Sequence, residues 1–181
     1  MSTSPTTTTE TEPLAPTLAT LTQALGEGVF RTETFRDNLR IYVPAARIYE
    51  ALSVLKDQCG FQLLAELGGT DYLGYPGRGE DRPRFEVHYV LRNLDANTMI
   101  IVKVGVDDPD PVLPSVVPLW LGADWMEREV YDMFGIRFAG HPDLRRILMP
   151  DEFTSYPLRK DYPLRGRGER HNFPRIPRAK S

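Results

Sequence analysis

The residues of this chain best suited to chemistry fall between 127 and 148. There EREVYDMFGIRFAGHPDLRRIL carries Glu127, Glu129, Asp132 and His141, with Arg128, Arg145 and Arg146 among them. Carboxylates beside a histidine are the ligand set of a metal centre, so that reading is tested first. It fails on geometry. A helix through these positions turns Glu127 and Glu129 about 200° apart, whereas an oxygen-ligand site needs its carboxylates to converge. His141 is followed by Pro142, a pairing that stiffens a turn, and His88 and His171 have no partner at ligand spacing. The single cysteine, Cys59, rules out a disulfide within the chain and a four-cysteine iron–sulfur or zinc site. Its place beside Phe61 reads as a packed thiol. No GxSxG, no P-loop and no GxGxxG after a strand is present, and the two GRGE runs at 77–80 and 166–169 are short turns. The chain is read as having no catalytic, cofactor-binding or metal-binding residues of its own.

The elements that must position this stretch follow from hydrophobic spacing. Asp124 stands three residues before Glu127, a capping-box spacing, and Gly135 can end the helix after Phe134. Trp125, Val130, Met133 and Phe134 supply its apolar side. Upstream, Leu14, Leu18, Leu21 and Leu25 recur at three- and four-residue steps up to Gly26, a short amphipathic helix expected to pack on the sheet. Asn38 to Val43 reads as a strand, and Pro44 opens a helix with Ile48, Leu52 and Leu55 facing inward and Gly60 closing it. Phe61 to Leu67 is a second strand, parallel to the first though not necessarily beside it. The Gly- and Pro-rich run from Leu67 to Arg84 reads as a long exposed loop. Arg84 to Asn93 alternates, with Phe85, Val87, Tyr89 and Leu91 on one face. Leu94 to Asn97 makes a hairpin connection, and Thr98 to Val106 returns with Ile100, Val102, Val104 and Val106 inward. DDPDPVLP then ends the sheet. The expected fold is α+β, a mixed sheet of about four strands with helices on one face.

The ends differ from this body. Residues 1–13, MSTSPTTTTETEP, have almost nothing to bury and are expected to be disordered, leaving 14–140 as the α+β domain. They also lack the marks of a secretory signal or a mitochondrial presequence, and no apolar run reaches 18 residues, so a cytoplasmic, non-spanning chain is expected. Residues 141–181 lose hydrophobic periodicity and hold 10 basic and 5 acidic side chains, against 12 and 20 before them. Isolated aromatics and leucines are scattered among prolines in that segment, which cannot build a core. It reads as an extended arm laid on another protein. A nucleic-acid partner is set aside, because the body is acidic and no RNA- or DNA-binding module is present.

The charged stretch resembles the signature of the C subunit of respiratory NADH:quinone oxidoreductase (complex I). That pattern is ERE, two free positions, an acid, two large apolar residues, six free positions, His or Lys, then a basic or Pro residue and two apolar ones. Glu127, Arg128, Glu129, Asp132, Met133, Phe134, His141, Arg145, Ile147 and Leu148 fill it without departure. The resemblance extends through RFEVHYVL at 84–91, PSVVPLWLGADWMEREVYDMFGI at 114–136 and PLRKDYPLRG at 157–166, roughly residues 38 to 166.

The resemblance implies a cofactor-free structural subunit of the hydrophilic arm. Its partners would be the large subunit that forms the quinone site, the subunit bearing the terminal iron–sulfur cluster and the neighbouring iron–sulfur subunit. NADH, FMN, iron–sulfur clusters and quinone would sit on other chains. It would lie on the cytoplasmic side of a bacterial cell membrane, attached only through the complex. The equivalent subunit of a related membrane-bound hydrogenase or photosynthetic dehydrogenase, and a free-standing adaptor, are the alternatives. On the residues themselves, Arg128 and Asp132 are four apart and can pair, as can Glu129 with a facing basic group, while Trp125 and Phe134 anchor the helix. The cluster is either a solvated charged face or, as expected here, an interface or junction clamp where the helix meets the basic arm. Arg145, Arg146, Arg159, Lys160 and Asp161 complete the expected interface, as the arm's share of it.

Overall fold

The computed structural model describes residues 14–77, 79 and 82–169. The expected tail at 1–13 and the last twelve residues of the arm lie outside them. In chain order the elements are α1 (Ala15–Leu25), β1 (Arg31–Phe35), β2 (Asn38–Tyr42), α2 (Ile48–Asp57), β3 (Leu63–Asp71), β4 (Phe85–Asn93), β5 (Thr98–Val106), β6 (Val112–Pro114), α3 (Ala123–Phe134) and β7 (Arg137–Ala139).

The fold is α+β, as the spacing implies, but the main sheet has five strands, not about four, in the order β1-β2-β5-β4-β3. β2 runs parallel to β5, and every other neighbouring pair is antiparallel. β2 and β3 therefore point the same way with two strands between them, as expected. The added strand is β1, RTETF, which pairs with β2 from Arg31↔Tyr42 to Phe35↔Asn38 with every residue exposed. With neither face buried it carries no alternation.

β3 also outruns its expected end, continuing through Gly68, Gly69 and Thr70 to Asp71 and shortening the expected loop. The reason is a close approach: a β-carbon at Gly69 would lie 2.8 Å from the Phe134 ring, so α3 packs straight onto the strand backbone. Gly69 is in register with Val87, and cross-strand partners share a face. α3 thus covers the same face that carries Phe85, Val87, Tyr89 and Leu91, all fully buried.

α2 buries Ile48, Leu52 and Leu55 in one continuous core with that face. Each contributes roughly 1.5–3 kcal/mol by leaving water. α1 lies chiefly along α2, not on the sheet, with Leu21 and Leu25 inward. Beyond β5 the Pro-rich stretch ends the main sheet, yet its last residues form β6, which pairs in parallel with β7 across α3. This β6-α3-β7 unit brings the ends of both short strands to one side of α3.

Candidate functional site

α3 divides the ERE motif between inside and outside. Glu127 is fully buried and Glu129 is exposed. The expected capping box does not form: the N-cap is Gly122, with no side-chain cap. Glu127 instead accepts from Ser115 Oγ at 2.8 Å and from the Val116 N–H at 2.6 Å, just past β6. Burial pushes its carboxyl up to about 7, against the two hydrogen bonds and with the Asp124 charge adding to the rise. His141, just past β7, comes within 3.9 Å of Glu127 Oε2. Its Nδ1 accepts from the Asp143 N–H at 3.0 Å, so the ring proton on Nε2 is free to donate to the Asp124 carbonyl at 3.1 Å. The histidine stiffens its own turn and ties it to the start of α3. Tyr89, buried on β4, has its phenol pushed up by desolvation and by the Glu127 charge.

Trp125, expected in the core, is 67% exposed, and Trp120 is the buried indole instead, donating Nε1 to the Gln62 carbonyl at 3.1 Å. The expected Arg128–Asp132 pair is also absent. Arg128 donates to the carbonyls of Arg145 at 3.2 Å and Arg146 at 3.1 Å. Asp132 faces inward and is held by four donors. Arg146 Nη1 lies at 2.6 Å, and the backbone N–H groups of Ile147, Leu148 and Met149 lie at 3.0, 2.8 and 2.8 Å. Burial raises the Asp132 carboxyl, but the Met149 N–H, Arg146 and the two other amides outweigh it, leaving it below the ordinary carboxylate range. Arg146 further donates to the Ser155 carbonyl at 3.1 Å and lies over the rings of Phe153 and Tyr156. Arg145 points outward and pairs with Asp143 at 2.8 Å.

A second fastening point joins Arg159, Lys160 and Asp161, expected as interface residues, to Asp71, Arg84 and Asp108, which sequence reasoning missed. Asp71, its carboxylate fully buried at the end of β3, accepts from Arg84 Nη2 at 2.9 Å and from the Lys160 N–H at 2.8 Å. Burial raises the Asp71 carboxyl, and the Arg84 guanidinium with the Lys160 and Leu73 N–H groups brings it below its usual value. Arg84 also meets Asp161 at 3.0 Å and pairs with Asp108. Arg159 donates Nε to the Phe134 carbonyl at 2.6 Å and lies over Phe85 and Tyr156. The Leu158 N–H reaches the Met133 carbonyl at 3.1 Å. Two carbonyls that a helix end leaves unpaired are thereby satisfied. Lys160 itself is exposed.

Residues 141–169 thus form a strap without helix or regular strand, fastened to α3 at Asp132 and to β3–β4 at Asp71 and Arg84. The expectation that this stretch lies on another protein is corrected to that extent, because its inner side lies on its own body. What the arrangement does chemically is hold backbone. Among the described residues no three His, Cys, Asp or Glu side chains converge as metal ligands, and no helix is long and apolar enough to cross a membrane.

The family described as respiratory-chain NADH dehydrogenase, 30 Kd subunit, matches residues 41–168, and the chain belongs to it. The chain is 44% identical to the NADH-quinone oxidoreductase C subunit of Roseiflexus sp. (strain RS-1), over 83% of this chain and 84% of that one. It is 45% identical to the C subunit of Novosphingobium aromaticivorans over 82% of its length, but spans only 46% of that longer protein. Among solved structures, a trypsin-resistant fragment of Nqo5 aligns with a TM-score of 0.64 and 38% identity, covering 73% of this chain and 99% of the fragment. A chain of an archaeal respiratory membrane complex, the membrane-bound sulfane sulfur reductase, aligns with a TM-score of 0.67 and 26% identity, over 82% and 85%.

Proposed function

We propose that this chain is a non-catalytic structural subunit of the peripheral arm of an ion-translocating NADH:quinone oxidoreductase. It braces the quinone-reducing module on the cytoplasmic side of a bacterial cell membrane. NADH, FMN, iron–sulfur clusters and quinone belong to other subunits. Its contacts are the large quinone-site subunit, the terminal-cluster subunit and the neighbouring iron–sulfur subunit. The observation that carries this reading is the use of the family signature: Glu127, Asp132 and His141 are spent on holding backbone in place, with Arg146 beside them closing on Asp132. A rigid body with a fastened strap is the form a scaffold needs.

The test is to tag the chain in its own cell, solubilise the membranes gently and identify what co-purifies. Subunits of an NADH:quinone oxidoreductase are the expected result, and recovery of a lone monomer overturns it. The likeness to the sulfane sulfur reductase chain favours one second reading, the equivalent subunit of a related membrane-bound complex. That reading predicts reductase or hydrogenase subunits in the same purification. The higher identity to the NADH-quinone oxidoreductase proteins favours the first.

A further inference from the structure

The sheet face turned away from α2 and α3 carries the alternate residues of its strands. Arg40 and Tyr42 on β2, Lys103 and Gly105 on β5 and Glu86 on β4 lie there, between buried neighbours such as Ile41, Val104 and Val87. A cavity of about 760 Å³ opens on this face, walled by Gly28, Val29 and Phe30 from the β1 side and by Gly79, Arg82 and Pro83 from the β4 side. The second wall rests on the strand backbone, because a β-carbon at Gly105 would collide with Pro83. The volume suits a small organic molecule.

Two guanidinium groups at this cavity have unfilled donors. Arg31 lies over the Tyr42 ring, its Cζ 3.5 Å from the centroid, and Arg40 lies over the Phe35 ring at 4.3 Å. Stacking holds each plane in place and leaves its in-plane N–H groups free to donate. Glu33 turns one oxygen toward each, but at 3.8 Å from Arg31 and 3.9 Å from Arg40 it is too far for a hydrogen bond. Its Oε2 accepts instead from Tyr42 OH at 2.9 Å. Arg40 Nε is buried with no partner at all. Lys103, by contrast, is engaged, holding Glu86 at 2.6 Å, and Arg82 faces the same carboxylate at 3.6 Å. Glu33 and Glu86 offset two of the four positive charges lining the cavity, so the local field alone selects no anion. The unfilled donors do.

We propose that this cavity binds a small molecule bearing a phosphate group, which Arg31 and Arg40 grip in place of Glu33 while the rest of the molecule lies toward Pro44 and Gly105. A phosphate carries the several acceptor oxygens that two guanidinium forks require. The aromatic rings fix both forks beforehand, so little ordering is left for binding to impose. Glu33, 44% exposed on the edge strand β1, can swing outward and yield its place. A nucleic-acid strand fits less well, since the two arginines border a bounded cavity and not a basic groove with successive stacking platforms. The site uses this chain alone and is independent of the subunit reading.

The test takes the purified full chain in about 0.15 M chloride, where loose surface attraction is screened. Ribose 5-phosphate and inorganic phosphate are titrated in turn while the arginine Nε–H resonances are followed by NMR. Both probes are expected to shift the Arg31 and Arg40 signals, ribose 5-phosphate at the lower concentration, and to leave exposed Arg92, outside the cavity, unmoved. Arg31→Gln and Arg40→Gln each weaken binding at least about tenfold, the loss expected of a charge-assisted pair. Arg31 is 67% exposed, so its variant folds as the wild type does even if Arg40→Gln does not. Glu33→Gln strengthens binding severalfold, because the competing carboxylate is gone, and misfolding cannot produce such a gain. The proposal is overturned if neither probe moves the two signals or if Glu33→Gln binds more weakly. Equal affinity for the two probes overturns the part assigned to the cavity. Vesicles of phosphatidylglycerol offer the same phosphate chemistry from a lipid, and binding to them without binding to ribose 5-phosphate overturns the small-molecule site.

Discussion

Removing the Asp132 carboxylate by Asp132→Ala takes away the acceptor that fastens the strap to α3. The Arg146 guanidinium, largely buried, loses its ion partner, and the N–H groups of residues 147–149 lose their acceptor. Breaking a buried pair from one side costs about 3–5 kcal/mol. Arg146 keeps the Ser155 carbonyl and the Asp132 backbone carbonyl, and the freed amides lie near water, which places the loss near about 3 kcal/mol. For a chain of this size that lowers Tm by about 6–12 °C. Thermal unfolding of the full chain, with amide hydrogen exchange at residues 147–149, measures it. Exchange there quickens by about a hundredfold if the loss falls on local opening. Asp132→Asn keeps the shape and one acceptor oxygen and loses about half as much. An Asp132→Ala protein that melts within about 1 °C of wild type with unchanged exchange at 147–149 refutes the clamp.

The buried Glu127 makes stability fall as pH rises. Its folded pKa near 7 exceeds the unfolded value of about 4.3, so the native state holds the extra proton between them and its advantage shrinks across that window, by at most about 4 kcal/mol. Glu127→Gln flattens that limb in urea unfolding between pH 5 and 8, and an unchanged slope contradicts the assignment. Asp71 and Asp132 act oppositely: their depressed carboxyls stabilise above the unfolded value of about 3.9, and this is lost as pH falls through their folded values. Charge reversal separates the two neighbours on the strap. Arg159→Glu takes the donor from the Phe134 carbonyl and lowers Tm by several degrees, whereas exposed Lys160→Glu leaves Tm within about 1 °C. Equal melting of the two variants shows that Arg159 does not hold the strap.

What the sequence reveals here tracks how local the cause is. The β4–β5 hairpin and α2 are legible because alternation and three- and four-residue spacing are consequences of burial on one side. β1 is not legible, since nothing on it is buried. Gly68 and Gly69 read as loop residues because glycine has no strand preference of its own, and only the packing of Phe134 shows why a strand needs it there. In the charged cluster, spacing places Glu127 and Glu129 on opposite sides, and the structure separates them as buried and exposed. Their partners were hidden. Ser115 lies twelve residues from Glu127, and three of the donors to Asp132 are backbone amides that any residue carries. A capping-box spacing and an i, i+4 pair are local patterns, and both gave way here to longer-range bonds. Trp120 and Trp125 differ by five positions, and side-chain type alone cannot choose which one goes inside.

The bond from the Lys160 amide to Asp71 spans 89 positions of chain, and the contact of Arg159 with Asp108 spans 51. Synthesis proceeds from the N-terminus, so on the ribosome Asp71, Arg84 and the end of α3 are made well before the segment that will cover them. During that interval a buried acid and the last carbonyls of a helix stand open to water. The order of manufacture therefore leaves this flank bare for a brief time, and closure of the strap ends it.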